Sequence, residues 1–163
     1  EQLRFKLDLT QSITDNATTA IFMTDDKSRC TFMNPAAERM TGFAFGEVEG
    51  GVLHDFIHHH HPDGRPYPMP ECPIDRALPE GAEVRDHEDV FFRKSGEPFP
   101  VTCNARVVYE GGVPVGTVIE VRDITKEKEA ETALRESETH FRSMANNAPV
   151  MLWVTDATGS CTY

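Results

Sequence analysis

Residues 20–42 read AIFMTDDKSRCTFMNPAAERMTG. The stretch Thr19–Thr24 is apolar and partly β-branched, Asp25-Asp26-Lys27-Ser28 is polar turn material, and Cys30–Met33 resumes the apolar pattern. Two such runs around a short polar turn predict a β-hairpin. Asn34 followed by Pro35 then reads as a helix N-cap with proline at the first helical position. Ala36, Ala37 and Met40 supply an apolar side, and Gly42 supplies the stop.

Working outward, residues 43–69 are rich in Gly, His and Pro and read as irregular. Pro70–Leu78 is a candidate second helix with Cys72, Ile74 and Leu78 buried. Three strands follow: Glu83–Lys94 turning at Ser95-Gly96, Phe99–Tyr109 turning at Gly111-Gly112, and Val115–Arg122. Strands joined by short loops make an antiparallel meander. The predicted fold class is α+β, with a five-stranded antiparallel sheet, short helices on one face and flanking helices at both ends.

Those flanking helices are residues 1–15, with Leu3, Leu7 and Ile13 as the better apolar positions, and Lys126–Met144. The second lacks Gly and Pro and places Ala130, Leu134, Ser137, Phe141, Met144 and Ala148 at heptad spacing. Leu3, Thr10 and Ile13 stand at matching places ahead of the sheet. Ser and Ala weaken the seam, so a homodimer through these helices is expected to be weak.

The hairpin sequence recurs. Asn16-Ala17 and Thr24-Asp25, running on to Cys30-Thr31, return as Asn147-Ala148 and Thr155-Asp156, running on to Cys161-Thr162. A repeat of this length means one structural unit used twice in series. The expected division is a flanking helix over 1–15, a first domain over 16–125, a linker helix over 126–145 and the truncated start of a second domain over 146–163. The expectation is a piece of a longer protein.

With 16 Lys and Arg against 27 Asp and Glu, the net charge is −11. Such a surface repels nucleic-acid phosphates and anionic membranes, so no nucleic-acid partner is expected. No apolar run reaches the roughly 20 residues of a membrane span. The four cysteines form no CxxC pair, which fits reduced thiols and a cytoplasmic setting.

Four pieces in order resemble the PAS domain family: Ala20–Asp25; Phe32-Met33-Asn34-Pro35-Ala36-Ala37-Glu38 with Thr41-Gly42-Phe43; Phe92–Pro100; and Val121-Arg122-Asp123-Ile124-Thr125. The similarity covers about residues 10–125, and Ala145–Tyr163 resembles the start of a second PAS domain. The resemblance implies a ligand pocket between sheet and short helices, lined by Phe22, Thr24, Met33, Ala37, Met40, Phe91, Cys103, Ala105, Thr117, Ile119 and Val121. These are mainly apolar and suit a small apolar or amphipathic ligand, or simply fill the core. It also implies a signal exit at Asp123 and Thr125, either of which can accept hydrogen bonds from the first backbone N–H groups of the last helix.

The run His58-His59-His60-His61, with His54 before it and Cys72 after it, is the odd feature. The run is expected to be a solvated or structural loop that holds no metal; the alternatives are a metal or haem ligand, with His58, His60 and Cys72 as the candidates because alternate histidines plus Cys72 could bind a transition metal, and a pH or ligand contact. The flavin-photosensing motif of the family is absent. Haem would need a ligand from the 54–61 loop, because Pro70–Leu78 contains no His, and His87 is expected to be exposed. No GxSxG, HExxH, GxxxxGK[ST] or GxGxxG is present, so the chain itself reads as non-catalytic. The resemblance implies a sensory, dimerising input module of a bacterial signalling protein, a histidine kinase ahead of other outputs. It would pass a conformational signal through the C-terminal helix to downstream domains. Alternatives are a ligand-free relay domain and a metal- or haem-dependent sensor.

Overall fold

A computed structural model describes residues 11–147 and 157–160. Residues 11–16 are helical (α1). Then come β1 (Ala20–Asp25), β2 (Cys30–Met33), α2 (Pro35–Thr41), α3 (Phe45–Val48), α4 (Leu53–Ile57), a 3₁₀ turn (Met69–Glu71), α5 (Pro73–Glu80), β3 (Val84–Phe92), β4 (Pro98–Glu110), β5 (Val113–Asp123) and α6 (Thr125–Asn147). The five strands form one antiparallel sheet in the order β2-β1-β5-β4-β3. First and last strands are therefore neighbours, with Phe22 opposite Ile119 and Ala20 opposite Val121.

The hairpin forms for local reasons. Asp25 Oδ1 accepts from the backbone N–H groups of Lys27 and Arg29, both at 2.9 Å, and so shapes the turn. Asn34 is completely buried and uses its whole amide. Its Oδ1 accepts from Ala37 N at 2.9 Å and Ile21 N at 3.0 Å, and its Nδ2 donates to Thr19 O at 3.0 Å and Thr14 O at 3.1 Å. One side chain thus caps α2 and ties it to β1 and to the residues ahead of it. Gly42 closes α2 in the left-handed region, donating to Glu38 O at 2.8 Å.

The strands alternate. Ala20, Phe22 and Thr24 on β1, and Thr117, Ile119 and Val121 on β5, all point into one core. Helix α2 packs on β1, α4 on β3, and α5 on β4 and β5. Phe22 and Phe91 are the largest fully buried side chains, each contributing roughly 1.5–3 kcal/mol of burial.

The irregular reading of 43–69 needs correction, since α3 and α4 lie there. Each is too short to show a helical period, and Gly46, Gly50 and Gly51 break the pattern further. The predicted helix over Pro70–Leu78 is instead a 3₁₀ turn followed by α5, with Ala77 buried and Leu78 half-buried. Beyond Thr125 the chain forms a second unit, a continuous helix to Asn147 with Leu134, Phe141 and Met144 exposed. Of the flanking positions named above, Leu3, Leu7, Thr10 and Ala148 lie outside the described residues; Ile13 is exposed. The second copy of the hairpin also lies outside them, apart from a turn over 157–160. No described helix is long and apolar enough to cross a membrane.

Candidate functional site

The eleven side chains expected around a pocket are all buried except Met40, which is half-buried. Most pack directly against one another. A cavity of about 20 Å³ remains beside Thr24, Phe91 and Ile119, and its other walls are His54, His58, Cys72, Asp75, Leu53, Ile57 and Ile74. That volume holds about one water molecule. Phe22, Met33, Ala37, Met40, Cys103, Ala105, Thr117 and Val121 lie outside its lining. Burial pushes the Cys103 thiol up to about 12, so it stays protonated and inert.

The cavity's imidazoles, thiol and carboxylate come from two helices and their caps, and a third element stands behind them. α4 carries His54, and His58 follows as its C-cap, four residues on and therefore on the same face. Cys72 is the N-cap of α5 and Asp75 lies in that helix's first turn. Asp89 comes from β3. His54, His58 and Cys72 are all buried, and one ligand atom from each lies within 4.8 Å of the others. Cys72 Sγ is 3.3 Å from His58 Nδ1. On the far side of that ring, His58 Nε2 is 2.9 Å from Asp89 Oδ2. His54 Nε2 donates to Tyr67 O at 2.8 Å, and His54 Nδ1 is 2.9 Å from Asp75 Oδ2. Both carboxylate contacts are at ion-pair distance but out of line, so His54 Nδ1 and His58 Nε2 still lack a hydrogen-bond partner.

Electrostatics reflect the burial. Desolvation alone would lower the His54 pKa, but the Asp75 side chain, the Tyr67 carbonyl and nearby negative charge outweigh it and hold it above its ordinary value. Burial would raise Asp75 and Asp89; contacts with His54 and Cys72 hold the first below the usual carboxylate range, and contacts with His58 and His87 hold the second there. Burial and the Asp75 charge keep the Cys72 thiol protonated. The Tyr67 hydroxyl is pushed up to about 12 by burial and by Asp89.

The candidate trio His58, His60 and Cys72 is only partly brought together. His60 turns away to Phe92 and to His59, while His61 stacks on Tyr67 with ring centroids 4.2 Å apart. The loop from His59 to Tyr67 is a small hairpin, with His61 N donating to Arg65 O at 2.8 Å and Tyr67 N to His59 O at 2.9 Å. His87 is half-buried, 3.1 Å from Asp89, rather than exposed. His54 stood beside the run without being among the candidate metal ligands, and Asp75, Asp89 and Tyr67 were not marked as site residues. The four-residue spacing of His54 and His58 was the signal available for His54.

Where β5 ends, Asp123 Oδ1 accepts from Thr125 N at 2.9 Å and from Thr125 Oγ1 at 2.5 Å. The Thr125 hydroxyl therefore donates to Asp123. Arg93 joins Asp123 Oδ2 at 2.7 Å, bonds the Met40 carbonyl at the end of α2, and lies 3.9 Å over the Phe99 ring. Ile124 is buried and its N–H donates to Pro100 O at 3.0 Å.

Comparison with known proteins places this arrangement. A segment of 43 residues, 26% of the chain, is 46% identical to the uncharacterized protein y4lL of Sinorhizobium fredii and spans 5% of that protein's length. The PAS domain of a protein from Colwellia psychrerythraea superposes with a TM-score of 0.60 at 21% identity, over 74% of this chain and 98% of that one. A PAS domain from a two-component sensor histidine kinase gives 0.56 at 15% identity, over 74% and 97%. A protein-family model described as PAS domain matches residues 18–126, and with the five-stranded antiparallel sheet and its covering helices this chain belongs to the PAS domain family.

Proposed function

We propose that the chain is the sensory input module of a bacterial signal-transduction protein, acting through a homodimer and feeding a histidine kinase. The observation that carries this reading is the Arg93–Asp123–Thr125 network. Arg93 bonds both the end of α2 and the end of β5, and Asp123 bonds the first residue of α6. Any shift of α2 against the sheet therefore acts on the start of α6. A signal moves this switch only if it binds two arrangements with different affinity. The PAS domain of a sensor histidine kinase among the similar folds supports the choice of output.

Hydrogen exchange tests the coupling. Arg93→Ala should speed exchange of the amides at 124–129 while leaving β1 protected; unchanged exchange there removes the relay. ATP-dependent phosphorylation of a histidine in the full-length protein tests the output, and its absence removes the kinase. A second reading, a relay that binds no organic ligand, is favoured by the size of the cavity, which at about 20 Å³ leaves no room for one in this packing. Native mass spectrometry separates the two, because a co-purified small molecule sinks the second.

A further inference from the structure

We propose that His54, His58, Cys72 and Asp75 form a binding site for one divalent transition-metal ion, with zinc the best chemical match. The site stands or falls independently of the sensory reading. Four observations converge on it.

The first is the donor set. Two imidazoles, a thiol and a carboxylate are the ligand types of tetrahedral zinc, and softer or larger ions are served less well by this mixture. Ligand atoms of such a site lie about 3.3–3.6 Å apart, given Zn–S of about 2.3 Å and Zn–N or Zn–O of about 2.0–2.1 Å. Cys72 Sγ and His58 Nδ1 are 3.3 Å apart, and His54 Nδ1 and Asp75 Oδ2 are 2.9 Å apart. Adjustments of a few tenths of an ångström fit each pair, and drawing the two pairs onto one ion takes a further side-chain shift of about 1 Å, since ligand atoms of His54, His58 and Cys72 lie within 4.8 Å of one another.

Second, each outer ring nitrogen faces an acceptor, the Asp89 carboxylate for His58 and the Tyr67 carbonyl for His54. Asp89 can only accept, so the proton of His58 belongs on Nε2, which leaves the Nδ1 lone pair facing Cys72. The Tyr67 carbonyl likewise fixes the proton of His54 on Nε2 and leaves Nδ1 facing Asp75. A carboxylate or a backbone carbonyl behind each histidine is the usual support of a metal-bound imidazole. Without a cation between them, the His54 lone pair and the Asp75 carboxylate are two acceptors turned toward each other. A proton or a metal ion resolves that conflict.

Third, there is space. The cavity of about 20 Å³ lies among these four side chains, and buried His54, 5% exposed, turns toward Asp75 an Nδ1 that lacks a hydrogen-bond partner. Fourth, the charge balances. A Cys72 thiolate and the Asp75 carboxylate together neutralise a divalent ion, which removes the penalty of burying it. Binding releases the thiol proton to solvent, and no oxidant or reductant is involved.

The test is a titration of the metal-stripped 163-residue chain with Zn²⁺ against a chromophoric chelator, and with Co²⁺ followed by absorption. One ion per chain is expected, and Co²⁺ should give the intense visible bands of a tetrahedral site plus a thiolate-to-cobalt charge-transfer band near the ultraviolet. Cys72→Ser should abolish the charge-transfer band. His54→Gln and His58→Gln should weaken binding more than about tenfold, and Asp89→Asn about 10- to 100-fold by loosening His58. His60→Ala and His61→Ala should leave affinity and spectrum unchanged. If the ligand variants fail to fold, the wild-type cobalt spectrum decides alone. No bound ion, a bound ion without the sulfur band, or equal loss in His60→Ala overturns the proposal. None of these results would alter hydrogen exchange at 124–129, which reads the sensory relay.

Discussion

Asn34 carries more of the fold than its size suggests. It was legible as a cap because Asn-Pro opens a helix, and the observed bond to Ala37 N is that cap. Its bonds to Ile21, Thr19 and Thr14 were not legible, because they depend on a buried side chain meeting backbone from other elements. Asn34→Ala should cost at least about 2 kcal/mol, since it removes a cap and strands the Ile21 N–H away from water. A urea midpoint within error of the parent would refute this. Asp123 makes a second residue-level prediction. Partial burial would raise its pKa, but bonds donated by Thr125 and Arg93 outweigh that and hold it below the ordinary carboxylate range. A depressed native pKa contributes stability that is present above the unfolded value of about 3.9 and is lost as pH falls through the native one. Asp123→Asn should therefore lose about 1 kcal/mol at neutral pH, with the gap closing below about pH 4. Urea midpoints of both proteins across pH 2–7 check this, and a gap that persists at pH 2 removes the assignment.

At the scale of elements, the strands were readable and the short helices were not. Period-two burial on β1 and β5 is explicit in the side chains, and turn residues bound each strand. α4 has five residues, less than two turns, so no period could reveal it. That single omission also decides which histidines are seen as neighbours. Treated as an extended loop, the histidine run offers alternate residues, hence His58 and His60. As the end of a helix it offers residues four apart, hence His54 and His58. Asp75 and Asp89 were beyond reach because nothing local marks a carboxylate that another element will bury. Close pairing of β1 and β5 gives the prediction at this scale. A Cβ on Gly116 would sit 2.1 Å from the Thr24 carbonyl oxygen, so β5 can lie against β1 only with glycine there. Gly116→Ala should lower stability by about 2 kcal/mol or more. Gly46→Ala, in α3 with open space around it, should be neutral or gain up to about 1 kcal/mol. Thermal melts of the pair decide, and equal melting temperatures would contradict the packing described.

On the scale of the whole molecule, α6 is a helix of 23 residues that exposes Leu134, Phe141 and Met144. Leu134 and Phe141 are seven residues apart and Met144 three further on, so they lie along one stripe. Leu134 is 63% exposed and Met144 55%, an arrangement that a second copy of the helix would cover. Ala130 and Ser137 interrupt the stripe with small side chains, which limits the buried area and makes association weak. The expected outcome is a concentration-dependent homodimer with a dissociation constant on the order of 10–100 micromolar, about −5.5 to −7 kcal/mol. Sedimentation equilibrium should show the shift from monomer to dimer, and Phe141→Glu should abolish it. Ser137→Cys tests the geometry separately: its place on the same stripe brings the two thiols together only if the helices run parallel and in register. Mild oxidation should then yield a disulfide-linked dimer, whereas a cysteine placed at Glu138, off the stripe, should yield little. A chain that stays monomeric well above 100 micromolar would remove dimerisation through α6 and leave the fold and the buried cluster untouched.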